Sequence, residues 1–278
     1  VLQDAGYATA VAGKWQMCLM KKDLLQPRRM GFDQWSVFGW HEGPRYHEPM
    51  IYENGKVRPD TQGRYGPDLY VRFLADFMKQ NRDRPFLAYY SMALAHDVTD
   101  DIGRPVPYGP DHRWLSYTEM AEDMDRQIGR LLQALDRLQL RKKTLVLFTT
   151  DNGTAGASYL RVGKDGKFER PKVFSYFNGR MVQGGKGKLT DLGTRVPLIA
   201  RWPGRIEPGQ VVDDLIDFSD ILPTFADLSG GRLPGRQLNG HSFANRLRDR
   251  GSSSRTWAYS ETSRGGGQFV RTRAHKLY

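Results

Sequence analysis

Asp151 and Asn152 follow an apolar run at residues 144–148 and precede Gly153. A carboxylate and an amide at the mouth of a strand are hard oxygen donors, which suit Ca²⁺ or Mg²⁺ better than zinc. Asp-Asn-Gly is also an ordinary turn sequence, because all three residues favour turn conformations. Further along, Gly184-Gly185-Lys186-Gly187-Lys188 sets two lysines among glycines. There a backbone can approach an oxyanion closely while an ammonium neutralises it. Leu189 follows Lys188, where a phosphate-binding P-loop needs Ser or Thr. Lys14 closes a run of small and β-branched residues at 7–12, and His96 lies a few residues beyond the apolar run 86–90. A histidine there can act as a general acid or an anion ligand, or be merely structural. The serines lack a G-x-S-x-G elbow. Cys18, between Met17 and Leu19, reads as a core residue.

Charge narrows the partners. The 278 residues carry 42 Lys and Arg against 31 Asp and Glu, a net charge of +11. Residues 161–188 hold eight basic and two acidic residues, which is more than half of that surplus. The segment is either a solvated basic loop or a surface for an anionic substrate. No helix-turn-helix, RNP or finger pattern accompanies it, so nucleic acid is not an expected partner. A single cysteine excludes an internal disulfide and any cysteine-rich zinc module. The longest uncharged apolar-rich stretch, residues 86–95, is about half of the roughly 20 residues a membrane helix needs, so no span is expected.

These residues need elements to hold them. Residues 1–6 read as the last turn of a helix with Gly6 at its C-cap, in a chain whose beginning lies elsewhere. Residues 7–12, 86–90, 144–148 and 196–200 have strand composition, the third as a buried strand. Residues 41–66 look like a surface excursion. From Asp68, the set Tyr70, Phe73, Leu74 and Phe77 marks one helix face. Ser116 and Glu119 form a capping box ahead of Met120, Met124, Ile128, Leu131, Leu135 and Leu138, which predicts a long amphipathic helix. Residues 158–188 read as a long irregular segment, and Ser219 as the cap of a helix through Leu228. Residues 251–254 are the best linker candidate, with strands at 257–260 and 269–272 beyond it. The alternation predicts an α/β fold with a large, mostly parallel mixed sheet as an α/β/α sandwich. Residues 1–250 form its core, and 251–278 begin a small C-terminal antiparallel subdomain. In such sheets ligands bind beyond the carboxyl ends of the strands, where Lys14, His96 and Asp151-Asn152 all fall.

The order of signals resembles the sulfatase family of the alkaline phosphatase superfamily. Ala5-Gly6-Tyr7 with Ala12-Gly13-Lys14-Trp15 is similar to its G-Y-x-T-x-x-x-G-K-W-H signature. The helix with Met124-Asp125 and Ile128-Gly129, then Thr150-Asp151-Asn152-Gly153, looks like its segment ending in S-D-N-G. Gly185-Lys186-Gly187, Gly193-Thr194-Arg195-Val196-Pro197 and Arg201-Trp202-Pro203-Gly204 match its G-K-G…G-x-R-V-P…R-W-P-G run. Asp220-Ile221-Leu222-Pro223-Thr224 and residues 271–277 match as well.

The resemblance implies hydrolysis of a sulfate ester, such as that of a sulfated carbohydrate, at one divalent cation, usually Ca²⁺, with Mg²⁺ as the other candidate. The family nucleophile is a formylglycine made within a C/S-x-P-S-R motif. By position, Asp151 and Asn152 look like metal ligands, and Lys14, His96 and Lys186 like the catalytic groups. Gln16, Lys188 and Arg195 look like substrate contacts. The nucleophile motif and the remaining acidic ligands do not occur here and are expected before Val1, so this chain alone is expected to be inactive. Gln16 stands where the family most often has His, and cannot transfer a proton near pH 7. Ala95 and Val98 replace prolines common around the family histidine. Two other readings are a phosphonate or phosphate monoester hydrolase of the same superfamily and an inactive domain that binds sulfated glycans. A periplasmic or extracellular location is implied by the resemblance alone.

Overall fold

In the computed structural model, which describes residues 1–158, 161–248, 251–262 and 266–278, two compact units divide the chain. One comprises Gly6–Leu140 and Ala157–Val173, the other Val1–Ala5, Arg141–Gly156 and Phe174–Tyr278.

The first unit is built on a mixed five-stranded sheet. Its small and β-branched residues make β1 (Ala8–Lys14) narrow and almost wholly buried. Beyond the short helix α1 (Gln26–Arg29) come β2 (Gln34–Phe38), β3 (Tyr52–Glu53) and β4 (Lys56–Val57); α2 (Gly66–Gln80) then leads to β5 (Phe86–Ser91). The strand order is β4-β3-β2-β1-β5. β1 pairs in parallel with β2 and β5, whereas β3 and β4 run antiparallel. At the end of β1, Gly13 lies opposite Ser91, and a Cβ there would come within 2.1 Å of the Ser91 carbonyl oxygen. Only glycine lets the two strands approach this closely just before Lys14. Val11, Trp15, Met20, Trp35, Val37 and Tyr52 form a buried cluster, with Cys18 packed against it as expected of a core residue.

Residues 41–66 are not a surface excursion. Tyr46 and Ile51 are fully buried, and β3 and β4 form a hairpin on the sheet edge. The aromatic residues of the segment supply enough apolar area to fold it inward despite its glycines and prolines.

α3 (Tyr117–Arg137) has the expected cap: the Glu119 N–H donates to the Ser116 hydroxyl at 3.3 Å. Its buried residues are Met120, Asp123, Gln127, Ala134 and Leu135, so the buried face keeps the two stripe positions Met120 and Leu135 and takes in Asp123 and Gln127 beside them. Polar partners make this burial affordable, since Tyr65 donates to Asp123 and Gln127 donates to Asp68 on α2 at 2.9 Å. Met124, Ile128 and Leu131 are only half-buried.

β6 (Val146–Thr149) belongs to the second unit and is half-buried rather than buried. The segment expected to be irregular carries two hairpins instead: β7 (Arg161–Val162) with β8 (Phe168–Glu169) in the first unit, and β9 (Phe174–Phe177) with β10 (Arg180–Gln183) in the second. The scarcity of aliphatics hides both hairpins from the sequence pattern. α4 (Asp191–Thr194) and β11 (Leu198–Arg201) follow, and β11 pairs with β6 antiparallel.

α5 (Ile221–Ser229) is preceded by a 3-10 turn (Phe218–Asp220) that is capped by Asp217, which accepts from Ser219 N–H; Ser219 is not the cap of α5. Ser219 already lies inside that turn. α6 (Ala244–Leu247) precedes the segment 251–254, which is pinned rather than free. Ser253 N–H donates to Asp214 at 2.8 Å, and the buried Arg255 is held by the buried Asp220. β12 (Ala258–Glu261), β13 (Gln268–Arg271) and β14 (Lys276–Leu277) form a three-stranded antiparallel sheet, and 251–278 fall in the same unit as α4 to α6. Among the described residues no helix is long and apolar enough to cross a membrane.

Candidate active site

In the second unit, three segments interlock through main-chain contacts. Beyond β6, the Thr150 hydroxyl donates to the Asn152 carbonyl at 3.3 Å and the Asn152 side-chain NH₂ to the Gly153 carbonyl at 3.0 Å. The amide oxygen of Asn152 is thus the atom left to act as a ligand. Gly153 N–H donates to Gly193 of α4 at 2.9 Å, and Lys186 N–H donates to Thr154 at 3.0 Å. A Cβ on Gly153 would meet the Leu192 carbonyl oxygen at 1.9 Å, and one on Gly193 the Lys188 carbonyl oxygen at 2.1 Å. The glycines that make both motifs look like turns are therefore the positions where the segments touch.

Asp191, which the sequence pattern did not single out, anchors this corner. Arg271 donates to both of its carboxylate oxygens at 2.8 Å, and Lys276 reaches it at 3.1 Å. Partial burial pushes its pKa up, but the hydrogen bonds from Arg271 and Lys276 outweigh that and hold it below the usual carboxylate range. On this frame Asp151, Lys186, Lys188 and Arg195 are exposed and Asn152 is half-buried. The corner thus joins two hard oxygen donors to a lysine-bearing loop by a single main-chain bond. Asp151 and Asn152 fit a hard divalent cation in kind, and supply two of the six to eight oxygens that Ca²⁺ takes. Among the described residues there is no group of three or more His, Cys, Asp or Glu that could hold a metal.

In the first unit, Lys14 ends β1 opposite Phe38 of β2, and Gln16 is half-buried two residues on. Trp15 between them is fixed by its N–H to Phe38 at 3.0 Å and its indole N–H to Gln26 at 2.6 Å. Past β5, His96 N–H donates to Ala93 at 2.8 Å, and its Nδ1 lies 3.3 Å from the Asp97 carbonyl oxygen. The Tyr46 hydroxyl is 2.9 Å from the Ala93 carbonyl oxygen and 2.8 Å from that of His96. Burial keeps this phenol protonated far above its usual range, so it remains a donor that holds the turn. Asp97 takes an ion pair from Arg170, which also donates to Ala157 at 3.0 Å. One of the eight cations in 161–188 is thereby neutralised beside His96. Tyr46 was hidden in the supposed excursion, and Arg170 in a plain charge count; the aromatic richness of 41–66 was the signal available for the first.

The family model Sulfatase matches residues 1–231. Human arylsulfatase A is 29% identical over 286 residues, covering 92% of this chain and 52% of its own length. Mouse steryl-sulfatase is 38% identical over 183 residues, 64% of this chain and 27% of its own. The chain therefore spans about a quarter to a half of the length of these relatives. In fold it is similar to the PsFucS1 sulfatase from Pseudoalteromonas sp., with a TM-score of 0.70 at 23% identity over 98% of this chain and 58% of that one. It is also similar to BT4656 in complex with its substrate D-glucosamine-2-N,6-O-disulfate, with a TM-score of 0.64 at 19% identity over 98% and 70%. These solved structures carry the α/β fold of the alkaline phosphatase type.

Proposed function

Because the chain belongs to the sulfatase family, we propose that it serves hydrolysis of a sulfate ester, with a sulfated carbohydrate as substrate. The observation that carries this reading is the bond from Lys186 N–H to Thr154, which sets the lysine loop on the Asp151-Asn152 turn. Sulfatases generally use a divalent metal. We assign Ca²⁺ to the oxygens of Asp151 and Asn152, where a bound cation would supply positive charge to sulfuryl oxygens. Lys186 and Lys14 stabilise the charge that develops on those oxygens in the transition state. His96 holds a proton for the departing alkoxide, and its ring is oriented by the turn that Tyr46 fixes. Lys188, Arg195 and Gln16 contact the rest of the substrate. Gln16 can donate and accept hydrogen bonds but moves no proton. The family's formylglycine motif does not occur in these 278 residues, so binding, orientation and proton delivery are the parts assigned to them. A periplasmic or extracellular location goes with the same reading.

The test is hydrolysis of an aryl sulfate and of the matching phosphate monoester by the protein that carries this chain. Sulfate should be preferred, chelation should reduce the rate, and Lys186→Ala should lower kcat about 100-fold or more. Preference for the phosphate ester would replace this reading by the phosphohydrolase one. A Lys186→Ala variant with wild-type kcat would remove the lysine from the chemistry.

A further inference from the structure

β9 and β10 pair antiparallel with Tyr176 opposite Met181 and Phe174 opposite Gln183. The turn between them is Asn178-Gly179 at φ of 50° and 75°, the two-residue form that matches strand twist. Side chains alternate along a strand, so Phe174, Tyr176, Met181 and Gln183 share one face. That face is open: Tyr176 is 79% exposed, Met181 64% and Phe174 50%. Three large apolar side chains side by side on a hairpin form a contiguous exposed patch, the kind that marks a binding surface. The loop that follows carries Lys186 and Lys188, residues 174–188 contain no acidic residue, and Arg180 pairs with Phe177 on the opposite face. The hairpin is attached firmly to the corner described above, since the Gln183 side chain donates to Gly156 at 3.0 Å and the next residues lead straight to Lys186.

We propose that this face of the hairpin is a subsite for the sugar rings that flank the sulfate in a sulfated oligosaccharide. The proposal rests on the sulfatase reading and extends it from the reacting group to the chain beyond. The occupant follows from the chemistry of the patch. An aromatic face carries negative quadrupole charge and meets the weakly positive C–H edge of a pyranose, while the amide oxygen of Gln183, whose NH₂ holds Gly156, suits a ring hydroxyl. The positive charge of Lys186 and Lys188 on the loop that follows selects a chain with further sulfate or carboxylate groups and disfavours a neutral glycan. Tyr176 and Phe174 would then set preference for chain length rather than take part in the chemistry.

The experiment measures binding by the full chain of a sulfated tetrasaccharide, its desulfated counterpart and the sulfated monosaccharide. The tetrasaccharide should bind about tenfold tighter than the monosaccharide, the worth of two stacked rings, and the desulfated chain more weakly. Phe174→Ala with Tyr176→Ala should erase that tenfold gain and leave the monosaccharide unchanged. Phe174→Trp with Tyr176→Trp, which keeps the rings, should restore it. Equal tetrasaccharide affinity in wild type and the alanine variant would overturn the proposal. So would an alanine variant that changes only self-association in sedimentation, because the face would then belong to a second copy. Tetrasaccharide binding that depends on Tyr176, together with a wild-type kcat in Lys186→Ala, would keep the subsite and sink the assignment of Lys186, so the two failures are distinguishable.

Discussion

The main-chain N–H of Lys186 donates to the carbonyl oxygen of Thr154 at 3.0 Å, so the lysine loop is positioned by backbone rather than by its own side chains. Such a bond survives substitution of the lysine, which separates the charge of Lys186 from its placement. Lys186→Ala is therefore a test of charge alone, and stability should be unchanged in a thermal melt.

The placement is tested at a glycine. In Gly153→Ala the new Cβ would sit 1.9 Å from the Leu192 carbonyl oxygen, a backbone atom that cannot swing aside. The expected cost is about 1 to 3 kcal/mol, with weakened sulfate binding as the Gly153–Gly193 bond is forced open. Gly129→Ala is the control. Nothing lies within 4 Å of a Cβ there, and its place inside α3 should yield a gain of about 0.5 to 1 kcal/mol. Denaturant midpoints of the two variants should move in opposite directions.

Much of this arrangement was legible in the residues, for reasons that differ by element. β1 and β5 announce themselves as short runs of small, β-branched or apolar residues, and α2 by apolar residues at helical period; β1 and one face of α2 are buried, and β5 is mostly half-buried. α3 was legible in length and cap but not in the polar part of its hidden face, because that part is closed by Tyr65–Asp123 and Gln127–Asp68 hydrogen bonds, which no hydrophobic period reports. Asp151, Asn152 and Lys186 stood out by residue type, and family resemblance gave them roles. Tyr46 and Asp191 did not, since each acts through partners about 47 to 85 residues away in the chain. The hairpin β9–β10 was missed because its side chains are exposed, so the alternation that marks a strand has no buried half.

Tyr46→Phe removes a hydroxyl placed between the Ala93 and His96 carbonyl oxygens and little else. The loss should be about 1 kcal/mol of stability. If the hydroxyl fixes the direction of the His96 ring, kcat on an aryl sulfate should fall about tenfold with KM nearly constant. A parallel loss of KM would assign Tyr46 to packing only.

Arg170 and Lys188 should respond differently to salt. Arg170 is paired with Asp97, which is itself buried, so Arg170→Ala leaves a carboxylate without its cation and should destabilise the fold at any ionic strength. Lys188 is exposed on the loop that carries Lys186. Its contribution to attracting an anionic substrate should fade as the Debye length shrinks from about 10 Å at 0.1 M salt to about 3 Å at 1 M. For Lys188→Ala the deficit in kcat/KM should therefore be largest at low salt and nearly vanish at 1 M, with melting temperature unchanged.

Asp220 and Arg255 set the acid limit of their unit. Both are buried, and Arg255 Nε donates to Asp220 at 2.8 Å while its Nη2 reaches the other carboxylate oxygen. The same carboxylate accepts N–H bonds from His241 at 2.7 Å and Asp217 at 2.9 Å. Burial raises the pKa of Asp220, but the hydrogen bond from Arg255 and those from His241 and Asp217 outweigh it, and the folded-state value lies below the ordinary 3.8. A carboxylate whose pKa is lowered by folding contributes its stabilisation above the unfolded pKa and loses it as pH falls through the folded one. Asp220→Asn keeps the shape but leaves the buried guanidinium without its counter-charge, at a cost on the order of 3 to 5 kcal/mol at pH 7. In wild type, protonation of Asp220 brings about the same loss. The difference in unfolding free energy between wild type and Asp220→Asn should therefore be constant from pH 7 to about 5 and narrow progressively below about pH 4. Urea titrations at these pH values measure it. A gap that stays constant down to pH 2.5 would show that the ion pair contributes nothing to the acid transition.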